Sequence, residues 1–330
     1  MEGERLLNFF IPIFSACAKT KTRMRKLIFA VLLLIVVQQA SSQNYIDLVK
    51  INYGSFLGSG FENSDADQSI DQFDLQVTIP IPISKKTAII TGIDYFTAGV
   101  NFFPDGETQS LRTAVFKLGL NLTHSDKWGG IYLFQPKISS RGLITSSDAF
   151  FFGGLGLLTY KATDRLTWRF GVIGSSEAFG ALVSPIFGLY YLSKNQKWEI
   201  DAFLPGLGKV NYQFRENTSI GFAFQGMVKS FALDQDTNPL LFAESASIEL
   251  GPFIEQSFFK KMIRLRLQAG YSTVQYQLFN ADDLLPFRLS GIEFGDDRTV
   301  LNPGMDGAFF VRVGMTFRLF LNNAQNNNKS

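Results

Sequence analysis

The sequence predicts an all-β fold, a transmembrane antiparallel up-and-down β-barrel of about 14 strands that follows a cleaved signal peptide. Three observations predict it. A short apolar run of the export type lies near the N-terminus, long stretches alternate apolar and polar residues with period two, and the connections between those stretches alternate between tight turns and longer loops.

The export segment comes first in the chain. Met24-Arg25-Lys26 precedes an unbroken apolar run from Leu27 to Val37, then Gln38-Gln39-Ala40-Ser41-Ser42, with small residues at the cleavage offsets. That run is far shorter than the roughly 20 residues a helix needs to cross a bilayer, so it reads as a signal peptide over 24–42, with the mature chain starting near Gln43. Residues 1–23 read as an upstream extension and 322–330 as a polar tail, leaving 43–321 for the barrel. Cleavage removes Cys17, the only cysteine, and takes 6 of 31 basic and 2 of 29 acidic side chains, leaving 25 against 27 and a net charge of −2. This balance speaks against nucleic acid as a partner, and the mature chain holds no disulfide, thiolate nucleophile or cysteine metal ligand.

The strand signal is clearest at the two ends. Phe73, Leu75, Val77, Ile79, Ile81 and Ile83 alternate with Asp74, Gln76 and Thr78, and Phe309, Val311, Val313, Met315, Phe317, Leu319 and Leu321 alternate with Arg312, Thr316 and Arg318. The same reading places strands at 45–55, 70–83, 86–98, 110–123, 129–139, 148–161, 165–175, 181–192, 197–204, 208–215, 218–231, 242–256, 262–278 and 306–321. Most reach the roughly 9 to 11 residues a tilted membrane strand requires. The segment 197–215, broken by Pro205-Gly206-Leu207-Gly208, is the weakest; without it the count falls to 12.

Tight polar turns fall at 84–86, 124–127, 162–165, 193–197, 216–217 and 259–261. Longer loops fall near 56–69, 99–109, 140–147, 176–180, 232–241 and 279–305. This is the arrangement of an outer-membrane barrel, short on the periplasmic side and long outside. Trp128, Tyr160, Trp168, Tyr190, Tyr191, Trp198 and Phe214, beside the short turns, read as an interfacial aromatic girdle. Pro80, Pro82, Pro136, Pro185, Pro205 and Pro252 should mark strand ends or bulges, since proline cannot donate to a ladder.

Polar-face parity points Asp74, Lys117, Arg169, Glu199, Asp201, Lys209, Glu249, Arg264, Arg266, Arg312 and Arg318 into the lumen, because such charges are costly against lipid. Two readings stand side by side: a water-filled pore, and a salt-bridged, closed interior. Arg264, Arg266, Arg312 and Arg318 lie on neighbouring strands and would give an open pore a weak anion bias.

Catalysis is not expected. A barrel esterase needs a serine with a histidine base, and His124, the only histidine, sits in the turn His124-Ser125-Asp126. No cofactor is expected either. Carboxylates at Asp234-Gln235-Asp236, Asp282-Asp283 and Asp296-Asp297 could serve calcium but read as solvated loop tips. Gly153, Gly154, Gly156 and Gly171 lie within strands and form no phosphate loop.

The stretch Ser184-Pro185-Ile186-Phe187-Gly188-Leu189-Tyr190-Tyr191, then Lys197-Trp198-Glu199-Ile200, Leu204-Pro205, Tyr212 and Ser219-Ile220-Gly221-Phe222, resembles a family of Gram-negative outer-membrane barrels classed as a domain of unknown function. The resemblance covers the central half of the chain, implies the fold and an outer-membrane location, and brings no catalytic or binding residues. The expectation is a barrel in contact with outer-membrane lipid. It acts as a narrow passive channel for small solutes or as a non-conducting wall protein, with 279–305 available for surface contacts. An apolar-ligand transporter fits less well, because no N-terminal plug of useful length precedes Tyr45.

Overall fold

The computed structural model describes residues 45–142, 147–233 and 240–320. The signal peptide, the upstream extension, the C-terminal tail and Asp234-Gln235-Asp236 lie outside them. The first eight strands are β1 (Tyr45–Gly60), β2 (Asp67–Pro82), β3 (Thr87–Val100), β4 (Gln109–Thr123), β5 (Trp128–Arg141), β6 (Phe150–Thr163), β7 (Leu166–Glu177) and β8 (Gly180–Leu192). Then follow β9 (Trp198–Leu204), β10 (Leu207–Arg215), β11 (Thr218–Ala232), β12 (Leu241–Phe258), β13 (Ile263–Ser272) and β14 (Gln275–Asn280). The last are β15 (Leu285–Leu289), β16 (Ile292–Phe294) and β17 (Ala308–Phe320).

Neighbours in sequence pair antiparallel around the wall, and β1 closes the ring by pairing with both β2 and β17. β13 and β14 are two halves of one wall strand, each paired with β12, while β15 and β16 form a hairpin inside the last long loop. The wall is therefore a closed antiparallel barrel of 14 strands. The doubtful segment 197–215 supplies two of them, joined at Pro205-Gly206.

Alternation decides which side chains face outward. Ile79, Ile81, Phe116, Leu118, Phe134, Phe152, Phe222, Leu267, Val313 and Phe309 are all exposed on the outside. A water-soluble protein would not leave so continuous an apolar belt uncovered. Near the short turns, Trp128 packs in a tilted arrangement against Tyr160 and Trp198 against Tyr212, ring centroids 4.8 Å apart in each case. Tyr190 departs from the expected girdle: it is buried in the lumen beside Tyr45, because parity turns inward the neighbour of an outward-facing Tyr191.

Three prolines also correct the expectation, since Pro136, Pro185 and Pro252 lie within strands rather than at their ends. Each sits where one ladder is already interrupted. The β4–β5 register skips Pro136, the β12–β13 register skips Pro252, and β9 begins to pair with β8 only at Phe187, beyond Pro185. A missing N–H costs no ladder bond there.

The wall is uneven in height. β9 and β10 are short, so above Leu204 the edge of β8 has no β9 partner, and above Leu207 the edge of β11 has no β10 partner. This leaves a notch in the outer half of the barrel. The outer end of β11 bends inward across the lumen, where Ala232 pairs with Ser140 of β5. Ser139 Oγ donates to the Ser230 carbonyl at 2.5 Å, and Ser230 Oγ donates to Glu177 of β7 at 2.7 Å. The long loop expected at 176–180 shrinks to Ala178-Phe179, with Ala178 N donating to Ser230 Oγ at 2.8 Å. The β15–β16 hairpin, read from sequence only as part of a loop, lies along β8 over Gly180–Val183 in parallel pairing.

Candidate functional site

The interior has two unlike halves. In the half beside the short turns, alternate positions of β1, β2, β9, β10, β12, β13 and β17 carry charges around a cavity of about 420 Å³. Asp74, Asp201, Lys209, Glu249, Arg264, Arg266, Arg312 and Arg318 line it. Lys117 and Arg169 stand behind the lining, holding Asp94 at 2.6 Å and Asp201 at 2.5 Å. Glu199 borders a second cavity of about 270 Å³ that reaches the short turns at Gln196, Lys197 and Lys261. Arg264 and Arg318 border both cavities and so divide them.

Almost every charge has a partner. Arg318 Nε lies 2.6 Å from Asp47 and its guanidinium covers the Tyr45 ring at 3.3 Å, while the Tyr45 hydroxyl donates to Glu199 at 2.5 Å. Arg312 meets Glu249 at 2.7 Å, and Arg264 and Arg266 share Glu255. Lys209 lies 3.5 Å from Glu199 and 3.7 Å from Asp201. β13 does pair with β17, which gathers the four arginines. Asp47, Glu249 and Glu255 offset the charge of that gathering. Six acidic and seven basic side chains line the larger cavity, so the lumen is nearly balanced.

Five lining charges, Asp47, Lys50, Asp94, Lys229 and Glu255, escaped the sequence reading. Asp94 and Lys229 share parity with called neighbours, and Glu255 lies six residues from Glu249 on the same face, so alternation alone could have found them. Asp47 was hidden by a bulge. The β1–β17 register skips Leu48, which reverses parity and turns Tyr45 and Asp47 inward. Lys229 is distinctive in that its ammonium lies 4.2 Å from the Phe96 ring centroid and 3.0 Å from Met227 Sδ, at the ceiling of the charged cavity.

Above that ceiling the same inward positions turn apolar. Phe56, Phe61, Ile70, Phe96, Leu111, Phe231, Val274, Tyr276, Leu278, Met305 and Phe310 form one buried cluster. The end of the last loop caps it: Phe61 bridges to Met305, and Asn302 accepts from Leu278 N and donates to the Tyr276 carbonyl, standing in for a strand neighbour beside β14. This aromatic cluster lies on the long-loop side of the charged cavity.

Elsewhere His124 Nε2 lies 3.1 Å from the Tyr132 hydroxyl in an exposed turn, and Ser125 Oγ accepts from the Trp128 amide. Asp296 is engaged by Arg298, and Gly171 lies within β7, where a Cβ would meet the Gly156 carbonyl.

No curated protein matches the chain. Among solved structures, the NanC porin aligns at 11% identity over 82% of this chain and 100% of its own, with a TM-score of 0.34. The Pseudomonas putida toluene transporter TodX aligns at 12% identity over 82% and 90%, with a TM-score of 0.31. The translocator domain of the autotransporter NalP from Neisseria meningitidis aligns at 14% identity over 92% and 98%, with a TM-score of 0.25. Residues 38–317 match the family described as Domain of unknown function (DUF6268), and the chain belongs to that family.

Proposed function

We propose that the protein is a non-enzymatic conduit of the bacterial outer membrane for small polar solutes, shut along its axis in this conformation. The observation that carries this reading is the stacking of the two halves. A charged vestibule of two cavities, divided by Arg264 and Arg318, runs from the short turns to Lys229 and ends beneath an aromatic plug. A barrel serving only as wall has no need of a vestibule, whereas a permanently open pore has no room for the plug. Near-balance of lining charges supports uncharged or zwitterionic solutes over strongly anionic ones. The second reading, a non-conducting barrel acting through its outer loops, is favoured by the same plug if it never moves.

Planar-bilayer recording separates them. The folded wild-type chain is expected to be almost silent, and Phe231→Ala combined with Phe310→Ala is expected to give stable conductance steps with weak ion selectivity. A double variant that folds and inserts but stays silent would establish the non-conducting reading.

A further inference from the structure

We propose that the β15–β16 hairpin is a displaceable panel in the barrel wall, through which the charged cavity exchanges single-chain amphipathic molecules with the bilayer. The proposal rests on the conduit reading above and gives it a sideways exit.

Parity on β12 makes the first case. Ala243, Ser245, Ser247, Glu249, Phe253 and Glu255 face the lumen, so Phe242 and Glu244 belong to the opposite face, where a carboxylate against lipid would be strongly unfavourable. Yet Glu244 is only 2% exposed, because the last loop covers it. Arg288 of β15 pairs with one carboxylate oxygen, and Arg298 Nη1 lies 2.9 Å from the other. Phe242, Phe279, Phe179 and Leu285 close an apolar seat beneath the hairpin.

The hairpin's two faces match a wall position. Arg288 and Glu293 pair across its inner face, while Phe287, Ile292 and Phe294 stand exposed on the outer one, continuing the apolar belt. It fills the notch above β9–β10, where the wall strands themselves leave β8 and β11 unpaired. The charged cavity reaches that notch, since Leu207, Gln225 and Met227, at its lower rim, also line the cavity.

Its attachment is weak for a wall element. β15 is tied in parallel to β8 over four residues, with Ser184 and Ser290 hydroxyls 2.7 Å apart. Among the described residues β16 pairs only with β15. Arg288 Nε is buried with no hydrogen-bond partner, which lowers the cost of lifting the hairpin off. A molecule with a polar head and one apolar chain fits this path: the head meets the paired charges of the cavity, and the chain takes the seat that the hairpin vacates.

The test places one reporter thiol on the notch rim by Gln225→Cys in the mature chain, reconstituted in liposomes. It is read by peptide mass after reaction with a hexadecyl-chain maleimide confined to the bilayer or with a charged, water-confined maleimide. Adding Ser184→Cys and Ser290→Cys and oxidising them locks the hairpin, and should slow labelling by the bilayer reagent about tenfold; Glu244→Gln should speed it by a similar factor. Heat-modifiable electrophoretic mobility checks that each variant is folded, and the lock and the release are independent of each other. Labelling unchanged by the lock overturns the proposal. So does labelling in which the water-confined reagent keeps pace with the bilayer reagent, which would mean axial opening. Failure of the conduit reading appears separately, as silence of the plug double variant in conductance.

Discussion

The short-turn and long-loop halves of this lumen are built by one rule and reach opposite chemistry. In both, every second residue points inward. Below Lys229 those residues are largely Asp, Glu, Lys and Arg around a cavity of about 420 Å³; above it they are largely Phe, Ile, Leu and Tyr, buried in one cluster. The contrast teaches that alternation determines which residues face inward, but the identity of those residues at each height determines whether the interior is a passage or a core. One porin-like wall can therefore surround a charged cavity at one height and an apolar cluster at another.

The largest effect that would sharpen this contrast is expected in the charged half. Glu255 is shared by Arg264 and Arg266 and its side chain is only 4% exposed. Glu255→Ala leaves two guanidiniums without their carboxylate and should cost about 3–5 kcal/mol, measured by urea unfolding in detergent micelles. In the outer half, Ile70→Val removes one methyl from a fully buried site and should cost about 1 kcal/mol. An equal response at the two sites would break the distinction between an ion-paired and an apolar interior.

Selectivity offers a finer test. In the background opened by Phe231→Ala and Phe310→Ala, Glu249→Gln frees Arg312 from its partner, and the reversal potential in a salt gradient should shift toward anions. The smallest effect concerns the last loop. Hydrogen bonds from Arg298 hold the Asp296 carboxyl well below the usual carboxylate range. A carboxyl depressed in the fold contributes stability that is complete above its unfolded value of about 3.9 and lost as pH falls below it. Burial pushes Glu293 the other way, with Arg288 partly offsetting it, so its contribution weakens as pH rises. In Glu293→Gln, where the depressed Asp296 carboxyl titrates without the opposing group, pepsin cleavage within 281–307 should increase on going from about pH 5 to about pH 3, while the barrel remains resistant to SDS.

Much of the wall was legible in the sequence because a closed barrel with an apolar outside and a partly charged inside enforces alternation so strictly. Runs such as Phe73–Ile83 and Phe309–Leu321 have a single workable register, and polar turns such as His124-Ser125-Asp126-Lys127 separate them. All eleven called charges lie within the barrel, at or just behind the cavities. What stayed hidden depends on departures from that rule. The bulge at Leu48 reversed the parity of Asp47, and the inward bend of β11 arises from contacts far apart in sequence, Ser139 and Glu177 with Ser230. The β15–β16 hairpin was hidden for a related reason. Its bulge between Leu285 and Arg288 spoils the alternation, and its short strands resemble loop sequence until β8 offers them an edge.

The most direct test of the two-chamber lumen is the one-sided reactivity of single thiols in oriented bilayers. Thr316→Cys places one in the charged cavity, and Ala98→Cys places one in the aromatic cluster, where Ala98 is 1% exposed. A water-soluble thiol reagent added on the short-turn side should modify the first variant and leave the second untouched from either side. Comparable reaction at both positions would contradict a plugged axis and describe an open pore instead.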